Sequence, residues 1–383
     1  MTGNSVQFAF ATASKIVFGT GASDALSDAA AGLGRRALLV MSRSASTAFD
    51  AKKKLAIPHE PFWVSGEPDT TVVEEGAQIA VAGQCDVVIA VGGGSVIDAG
   101  KAISALFTNR DGIMTYLEVI GEGKPLSNTP VPFIAVPTTA GTGSEVTRNA
   151  VLASTAHHVK VSMRSESMLP NIAIVDPHLT MGVPPQITAA TGLDALTQLI
   201  EPYVSVKANP LTDALCEVGI QRVARSLRTA FDDGANLPAR EDMAIASLFG
   251  GLALANAGLG AVHGFAGPMG GMFPIPHGVV CGRLLPIVFR TNAAAVKDHP
   301  DILQKFERVS RLVTGNPQST VDDGIRWLDN LCAHLQLNGL AHYGVVKSDF
   351  DRIIDAAKRA SSMKRNPVIL TDDALTDILT QAM

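Results

Sequence analysis

Two histidines, His263 and His277, lie in a segment rich in glycine and proline, and imidazole is a common ligand of divalent metals. The glycines and prolines of residues 262–278 predict that no continuous helix spans this segment, so helical spacing need not separate the two rings. Asp194 and Gln198 are candidate partners, because a helix places side chains four residues apart on one face. Together these residues predict a metal site. The alternative is a pair of core histidines that bind no metal.

Two loops that follow apolar runs have the composition of ligand-binding loops. The first, residues 92–95, is Gly-Gly-Gly-Ser before a helical pattern, and a glycine turn at a helix N-terminus can bind phosphate. Asp98 falls in the first turn of that helix, where a carboxylate can cap the helix or bind a ligand hydroxyl. The second loop, residues 137–147, carries Thr138, Thr139, Thr142 and Ser144. Loops at strand ends suit a polar ligand. Tight structural turns and solvent-exposed loops are the alternatives.

The elements that would position these loops alternate between strands and helices. Apolar runs predict buried strands that end at Ser42 and that span residues 85–91 and 132–137, and a helix is predicted over 21–34. Residues 6–19 alternate apolar with small or polar residues and predict a hairpin of two short strands. Strands that alternate with helices indicate a mostly parallel, doubly wound sheet.

From about residue 183 the pattern becomes helical throughout. Helical periodicity extends over residues 209–229, 240–258, 299–314, 318–336 and 348–360. A chain of 383 residues favours two domains. We therefore predict an α/β domain over residues 1–182 and an all-helical domain over residues 183–383.

Composition limits the classes of partner. The net charge of −5 argues against a nucleic-acid partner. Neither a signal peptide nor an apolar run long enough to span a membrane is apparent. The cysteines form no C-x-x-C pair, so we expect a reduced, cytoplasmic protein without a zinc ribbon or a disulfide framework. They are Cys85, Cys216, Cys281 and Cys332.

Taken together, these motifs resemble the iron-containing, or group III, alcohol dehydrogenases. The similarity covers nearly the whole chain, and its motifs occur in the order of the family. They are G-G-G-S-V-I-D at 92–98, P-T-T-A-G-T-G-S-E-V-T at 137–147, I-V-D-P-H-L-T at 174–180, T-G-L-D-A-L-T-Q-L-I-E at 191–201, His263-Gly264, P-H-G at 276–278 and a closing segment at 365–379.

The resemblance implies a dinucleotide-binding α/β domain followed by an all-α domain, with NAD(P) and Fe²⁺ or Zn²⁺ between them. It implies an oxidoreductase that interconverts an alcohol with an aldehyde or ketone and forms a homodimer or larger homo-oligomer. Implied metal ligands are Asp194, Gln198, His263 and His277, and the catalytic residues are Asp194, His263 and His277. Implied cofactor contacts are Ser42, Gly93, Gly94, Ser95, Asp98, Thr138, Thr139, Thr142, Lys160 beside the nicotinamide ribose and Leu179 beside the nicotinamide.

Two positions depart from the family pattern. Gln198 stands where the family has a histidine ligand, and Gly267 stands where a second histidine commonly follows His263. An amide oxygen is a weaker ligand than imidazole. We therefore expect any metal to be weakly held and expect Gln198→His to raise metal occupancy. Metal-dependent and metal-free reduction both remain open at this point.

The cofactor preference depends on the end of the strand that stops at Ser42. An aspartate at this family position pairs with the ribose hydroxyls of NAD and repels the 2′-phosphate of NADP. Ser42 removes that repulsion, and Arg43 can bind the phosphate. The sequence therefore favours NADP modestly over NAD. The alternative is that Arg43 extends into solvent.

Other functions on the same fold are open to this sequence. A dehydroquinate-synthase-like cyclase is disfavoured because residues 262–278 contain no Lys or Arg to bind a phosphorylated substrate. A maleylacetate-type reductase would usually keep His at position 198 and lose the aspartate at 194. Loss of chemistry with retention of cofactor binding is the third alternative, because of the changes at 198 and 267.

Overall fold

A six-stranded parallel sheet organises the first half of the chain. The computed structural model describes residues 7–155, 157 and 159–383. Within that part the strand order is β1-β8-β5-β4-β2-β3, and every strand pair in the sheet is parallel. Its strands are β1 (Lys15–Phe18), β2 (Ala37–Met41), β3 (His59–Trp63), β4 (Val87–Gly92), β5 (Phe133–Pro137) and β8 (Ile172–Val175).

Helices cover both faces of this sheet, which is why its central strands are wholly apolar. Every residue of β2, β4 and β5 is buried, between separate apolar clusters on the two faces. The helices of this half are α1 (Leu26–Ala31), α2 (Ala45–Ala48), α3 (Ala51–Lys54), α4 (Thr70–Ala82) and α5 (Gly94–Thr108). The strands predicted to end at Ser42 and to span 85–91 and 132–137 therefore correspond to β2, β4 and β5.

The strand order places a ligand crevice near the middle of the sheet. The chain passes from β2 outward to β3 and then returns to form β4 on the other side of β2. Successive connections thus leave in opposite directions from β2 and β4, and ligands in such sheets bind beyond the carboxyl ends of the strands at this reversal. Both predicted ligand loops begin there, since Gly92 of β4 lies beside Pro137 of β5.

The second half is helical throughout its length. Its helices are α6 (Pro185–Val204), α7 (Pro210–Asp232), α8 (Leu237–Ala257), α9 (Ala261–Met272), α10 (His277–Ala295), α11 (Pro300–Thr314), α12 (Val321–His334), α13 (Phe350–Arg359) and α14 (Asp372–Ala382). Their apolar faces form one continuous core. Short 3-10 helices occur at Ala22–Ala25, Ile113–Thr115, Ser144–Val146, Glu166–Met168, Pro177–Thr180, Leu340–Tyr343, Lys347–Asp349 and Met363–Arg365.

The predicted hairpin over residues 6–19 is wrong in its described part, and residue 6 lies outside the described residues. Only β1 forms there, and it pairs in parallel with β8 rather than with a neighbouring strand. Upstream, the backbone of Ala11 both donates to and accepts from the Asn256 side chain at the end of α8, at 2.7 and 3.0 Å. This long-range tether takes the place of a local turn, which a periodicity argument could not anticipate.

The predicted helix break across residues 262–278 is only partly right. Residues 261–272 form α9 despite Pro268 and several glycines, and the break is confined to the segment before α10. Buried packing offsets the low helix propensity of glycine here, because α9 lies in the helical core. An antiparallel pair, β6 (Asn149–Ser154) and β7 (Val159–Arg164), was not predicted.

A helix that crosses a membrane is long and almost entirely apolar. Among the described residues, no single helix has the length and apolar character to cross a bilayer. The pair formed by α8 and α9 passes the same test only when taken together, and it bends by 99° at the junction.

Candidate active site

Three helices bring Asp194, His263 and His277 into one cluster. Asp194 lies in the middle of α6, His263 in the first turn of α9, and His277 at the first residue of α10. The Asp194 Oδ1 atom is 3.2 Å from Nε2 of His263 and 3.8 Å from Nε2 of His277. The ring centroids of the histidines are 5.3 Å apart, within the separation of about 8 Å beyond which two rings cannot share one metal.

The cluster depends on a close approach between two helix backbones. A Cβ atom placed on Gly278 would lie only 2.1 Å from the carbonyl oxygen of Ala190, so any larger residue would push α10 away from α6. Gly278 follows His277 directly, and Ala190 lies one turn before Asp194. Because Gly278 has no side chain, the P-H-G motif lets α10 approach α6 closely enough to bring His277 beside Asp194.

Glu201 fixes the orientation of His263. Its Oε2 atom is 2.7 Å from Nδ1 of His263. Its Oε1 atom accepts a hydrogen bond of 2.7 Å from the backbone N–H of Val262. A carboxylate bound to Nδ1 keeps the proton on that nitrogen and leaves Nε2 free to bind a metal. Sequence reasoning missed Glu201, although its position seven residues after Asp194 places both on one face of α6.

The electrostatics of the cluster favour charge separation. Burial alone would raise the pKa of Asp194, but the His263 hydrogen bond and the charge of both imidazoles lower it below its usual range. Burial alone would lower the pKa of His263 and of His277, but their contacts with the Cys281 sulfur and with the Asp194 carboxylate raise both. A divalent cation at this position would displace imidazolium protons and take over their charge.

Two further groups border the cluster. Cys281 lies one turn after His277 on α10, and its Sγ is 3.7 Å from Nε2 of His263. The ligand atoms of Asp194, His263, His277 and Cys281 all lie within 4.8 Å of one another. Sequence reasoning assigned Cys281 no role, although its spacing from His277 is the same i, i+4 spacing used for Asp194 and Gln198.

Gln198 lies beside Asp194, where the sequence placed it. Its amide group helps to lower the pKa of that carboxyl group, after the larger effects of burial and the histidines. Its Oε1 atom is buried and has no hydrogen-bond partner among the residues that the structure describes. An unpaired buried amide oxygen is costly, so this atom is available to a ligand.

The donor separations agree with a divalent metal. Two N or O ligands at 2.0–2.1 Å from a tetrahedral metal are separated by about 3.3–3.4 Å. The 3.2 and 3.8 Å separations from Asp194 to the two histidines bracket this value. Asp194 and His263 are almost fully buried, whereas the His277 side chain is 33% exposed. The open side of the cluster therefore faces the surface near His277.

The two predicted cofactor loops contact each other at the sheet edge. A Cβ atom placed on Gly94 would lie 2.6 Å from Cγ2 of Thr142, and one placed on Gly93 would lie 3.4 Å from Oγ1 of Thr139. Gly93 is the N-cap of α5, so its neighbours Gly94 and Ser95 open that helix. Thr138 is buried beside them.

Asp98 joins these loops through protein contacts. Its Oδ1 accepts a hydrogen bond from Ser144 and lies 3.3 Å from Nζ of Lys101. Its Oδ2 accepts a hydrogen bond of 3.0 Å from the backbone N–H of Val151. The carboxylate is therefore engaged with the second loop and with β6.

The remaining predicted cofactor residues lie around the same edge. Ser42 follows β2, and its Oγ accepts a hydrogen bond of 3.1 Å from the N–H of Ala45, whereas Arg43 is exposed. Lys160 on β7 pairs with Glu67 at 3.0 Å. Leu179 belongs to the apolar cluster beneath the sheet.

The cofactor loops and the metal cluster are neighbours. A Cβ atom placed on Gly141 would lie 2.6 Å from Cβ of Thr191, one turn before Asp194 on α6. One placed on Gly270 would lie 3.3 Å from Nζ of Lys160, so β7 packs on the helix that carries His263. The predicted cofactor loop and β7 therefore lie next to the helices that carry the cluster.

Comparisons with known proteins cover nearly the whole chain. The family model described as iron-containing alcohol dehydrogenase matches residues 13–177, and the model described as Fe-containing alcohol dehydrogenase family, C-terminal, matches residues 188–383. A 1,3-propanediol dehydrogenase of Citrobacter freundii is 38% identical over 325 residues, which are 83% of this chain and 81% of that protein.

Solved structures give the same result. A 1,3-propanediol oxidoreductase superposes with a TM-score of 0.91 at 35% identity and covers 99% of this chain and 100% of its own. A sulfoacetaldehyde reductase from Bifidobacterium kashiwanohense in complex with NAD⁺ has a TM-score of 0.88 at 30% identity, with 99% of each chain covered.

Proposed function

The chain belongs to the iron-containing alcohol dehydrogenase family and is an alcohol–aldehyde oxidoreductase, and we propose that its hydride transfer takes place at the Asp194, His263 and His277 cluster. The single observation that supports this most strongly is the convergence of these donors on Asp194 Oδ1, at 3.2 and 3.8 Å, beside the loops at the sheet edge. The substrate class is a small alcohol or aldehyde.

We assign metal binding to the carboxylate of Asp194 and to Nε2 of each histidine. Glu201 holds the His263 ring in the tautomer that presents Nε2. A bound divalent metal would act as a Lewis acid that polarises the substrate oxygen, and the nicotinamide would donate or accept the hydride. The partly exposed side of His277 is the direction from which we expect substrate to enter.

We assign the cofactor to the edge of the sheet. The N-terminus of α5 at Gly93, Gly94 and Ser95 would bind the pyrophosphate through backbone N–H groups. Thr138, Thr139 and Thr142 would line the adjacent loop. Asp98 would act by holding that loop in place, because both of its oxygens are engaged with the protein.

We assign two residues beside the cleft to the nicotinamide end of the cofactor. Lys160 lies next to α9 at Gly270, which suits the assigned contact with the nicotinamide ribose. Leu179 would support the nicotinamide from within the apolar cluster under the sheet. The space around Gly267 holds no atom within 4 Å of an added Cβ among the described residues, and we assign proton exchange with solvent to this opening.

Several finer assignments belong to the same proposal. Ser42 and Arg43 lie at the strand end next to Gly93, and their chemistry favours NADP modestly over NAD. Cysteine usage favours a reducing compartment, so we propose a cytoplasmic enzyme, and the family resemblance favours a homodimer. The division into residues 1–182 and 183–383 follows the change from strands to helices.

The proposal is tested by following nicotinamide absorbance with short alcohols and aldehydes before and after metal removal. Turnover should depend on added Fe²⁺ or Zn²⁺ and should be lost in Asp194→Asn, because this variant removes the charged donor. Asp213→Asn is the matched control. Asp213 lies on α7, outside the cluster, and its carboxylate is 2.9 Å from Nζ of Lys305 on α11. Undiminished turnover without metal would instead favour a metal-free reductase.

A further inference from the structure

Cys281 occupies the position of a metal ligand. It is fully buried and lies one helical turn after His277, so both side chains lie on one face of α10. Its Sγ is 3.7 Å from Nε2 of His263 and lies within 4.8 Å of the ligand atoms of Asp194 and His277. An ordinary buried cysteine packs among apolar groups, whereas this thiol faces a carboxylate and two imidazoles.

The separations match those of a thiolate site. A metal with a sulfur ligand at about 2.3 Å and a nitrogen ligand at about 2.0–2.1 Å in tetrahedral geometry places S and N about 3.5 Å apart. The observed distance from Cys281 to His263 is 3.7 Å. Together with the Asp194 separations of 3.2 and 3.8 Å, three of the six distances among the four donors are close to the tetrahedral values, and all six are within 4.8 Å.

Charge distinguishes Cys281 from its competitor, Gln198. A divalent ion bound by Asp194, two neutral histidines and Gln198 would carry a net charge of about +1 in a buried site. Replacing the Gln198 amide by the Cys281 thiolate makes the site neutral, which reduces the cost of burying it. Thiolate is also the softer donor, and it favours Zn²⁺ over Fe²⁺ more than an amide oxygen does.

We propose that the Cys281 thiolate is the fourth protein ligand of the metal, in place of the family histidine that Gln198 replaces. Gln198 then remains a neighbour of Asp194 on α6, and its buried, unpaired oxygen stays available to a ligand. This inference rests on the proposed metal-dependent function and adds that the site prefers Zn²⁺ and other thiophilic ions to Fe²⁺.

The test uses Co²⁺ as an optical probe of the metal-free protein, with elemental analysis to count the bound ion. A thiolate ligand gives a charge-transfer band in the near ultraviolet that oxygen and nitrogen ligands do not give. We expect this band in the wild-type protein and in Gln198→Ala. We expect it to be absent in Cys281→Ser, with Zn²⁺ affinity reduced by roughly 100-fold or more, beyond the effect typical of outer-shell changes.

Cys332→Ser is the matched control, because Cys332 donates its S–H to the Gly282 carbonyl outside the cluster and should leave the band unchanged. Bound Co²⁺ without a thiolate band in the wild-type protein would overturn the inference and leave the proposed function standing. Failure of the wild-type protein to bind Co²⁺, Zn²⁺ or Fe²⁺ at all would overturn both. The wild-type spectrum decides the matter even if Cys281→Ser does not fold.

Discussion

Replacing Glu201 by glutamine should weaken metal binding although Glu201 is not itself a predicted ligand. Its two oxygens accept hydrogen bonds of 2.7 Å from His263 Nδ1 and from the backbone N–H of Val262. Glutamine has the same shape but only one acceptor. Whichever way the amide is turned, its NH₂ group meets a donor, and one of these buried bonds is lost.

The consequence for the His263 ring depends on which of its two orientations the new amide group adopts. With NH₂ toward His263, Nδ1 must accept a hydrogen bond, so the proton moves to Nε2, the atom that faces Asp194. A protonated Nε2 cannot bind a metal. With NH₂ toward Val262, the N-terminus of α9 loses its carboxylate cap, and a buried hydrogen bond to a charged group contributes about 1.5–3 kcal/mol.

The expected loss in metal affinity is about 10–100-fold, which corresponds to about 1.4–2.7 kcal/mol. Competition for Zn²⁺ between the protein and a chelating dye measures it. Glu217→Gln is the matched control, because Glu217 also accepts two side-chain hydrogen bonds, from Tyr203 and Arg308, but lies on α7 away from the metal cluster. Equal Zn²⁺ affinity in wild type, Glu201→Gln and Glu217→Gln would refute the orienting role of Glu201.

Three further predictions concern the cofactor, stability and proton transfer. Ser42→Asp should shift kcat/KM toward NAD over NADP by at least about tenfold, about 1.4 kcal/mol, and strong NAD selectivity in the wild type would contradict this. Burial raises the pKa of Glu145 to about 7, so the folded state binds its proton more tightly than the unfolded state does. The contribution of Glu145 to stability is therefore fully present below about pH 4.5 and is lost as pH rises through about 7, and denaturant titrations should show Glu145→Gln removing a pH-dependent loss on the order of 3 kcal/mol. Gly267→His fits the open space on α9 and should raise kcat in weak buffer by about tenfold or more, whereas an unchanged kcat would exclude proton transfer at this position.

The sequence predicted the elements whose patterns are local. The buried strands β2, β4 and β5 read as short apolar runs because helices cover both faces of the sheet. The residues of the metal cluster were identified from family motifs and from one i, i+4 spacing. The structure then placed Asp194, His263 and His277 together, although their roles remain proposals.

The errors have physical causes that local patterns do not contain. The segment from Ala11 to β1 reads as a hairpin, but its partners are Asn256 and β8, more than 150 residues away. Pro268 and the nearby glycines suggest a broken chain, but burial in the helical core maintains α9. The helical spacing of His277 and Cys281 becomes apparent only from the structure, in which α10 begins at His277.

The most direct test of hydride transfer at the Asp194, His263 and His277 cluster is to follow the hydride with an isotope label. Metal-loaded enzyme is incubated with a primary alcohol deuterated at its carbinol carbon and with NAD⁺ or NADP⁺, and the cofactor is analysed by mass spectrometry. We expect a reduced nicotinamide that carries the deuterium in the wild-type enzyme and none in Asp194→Asn. Bound metal and bound cofactor without any labelled nicotinamide, across short and longer alcohols, would contradict it.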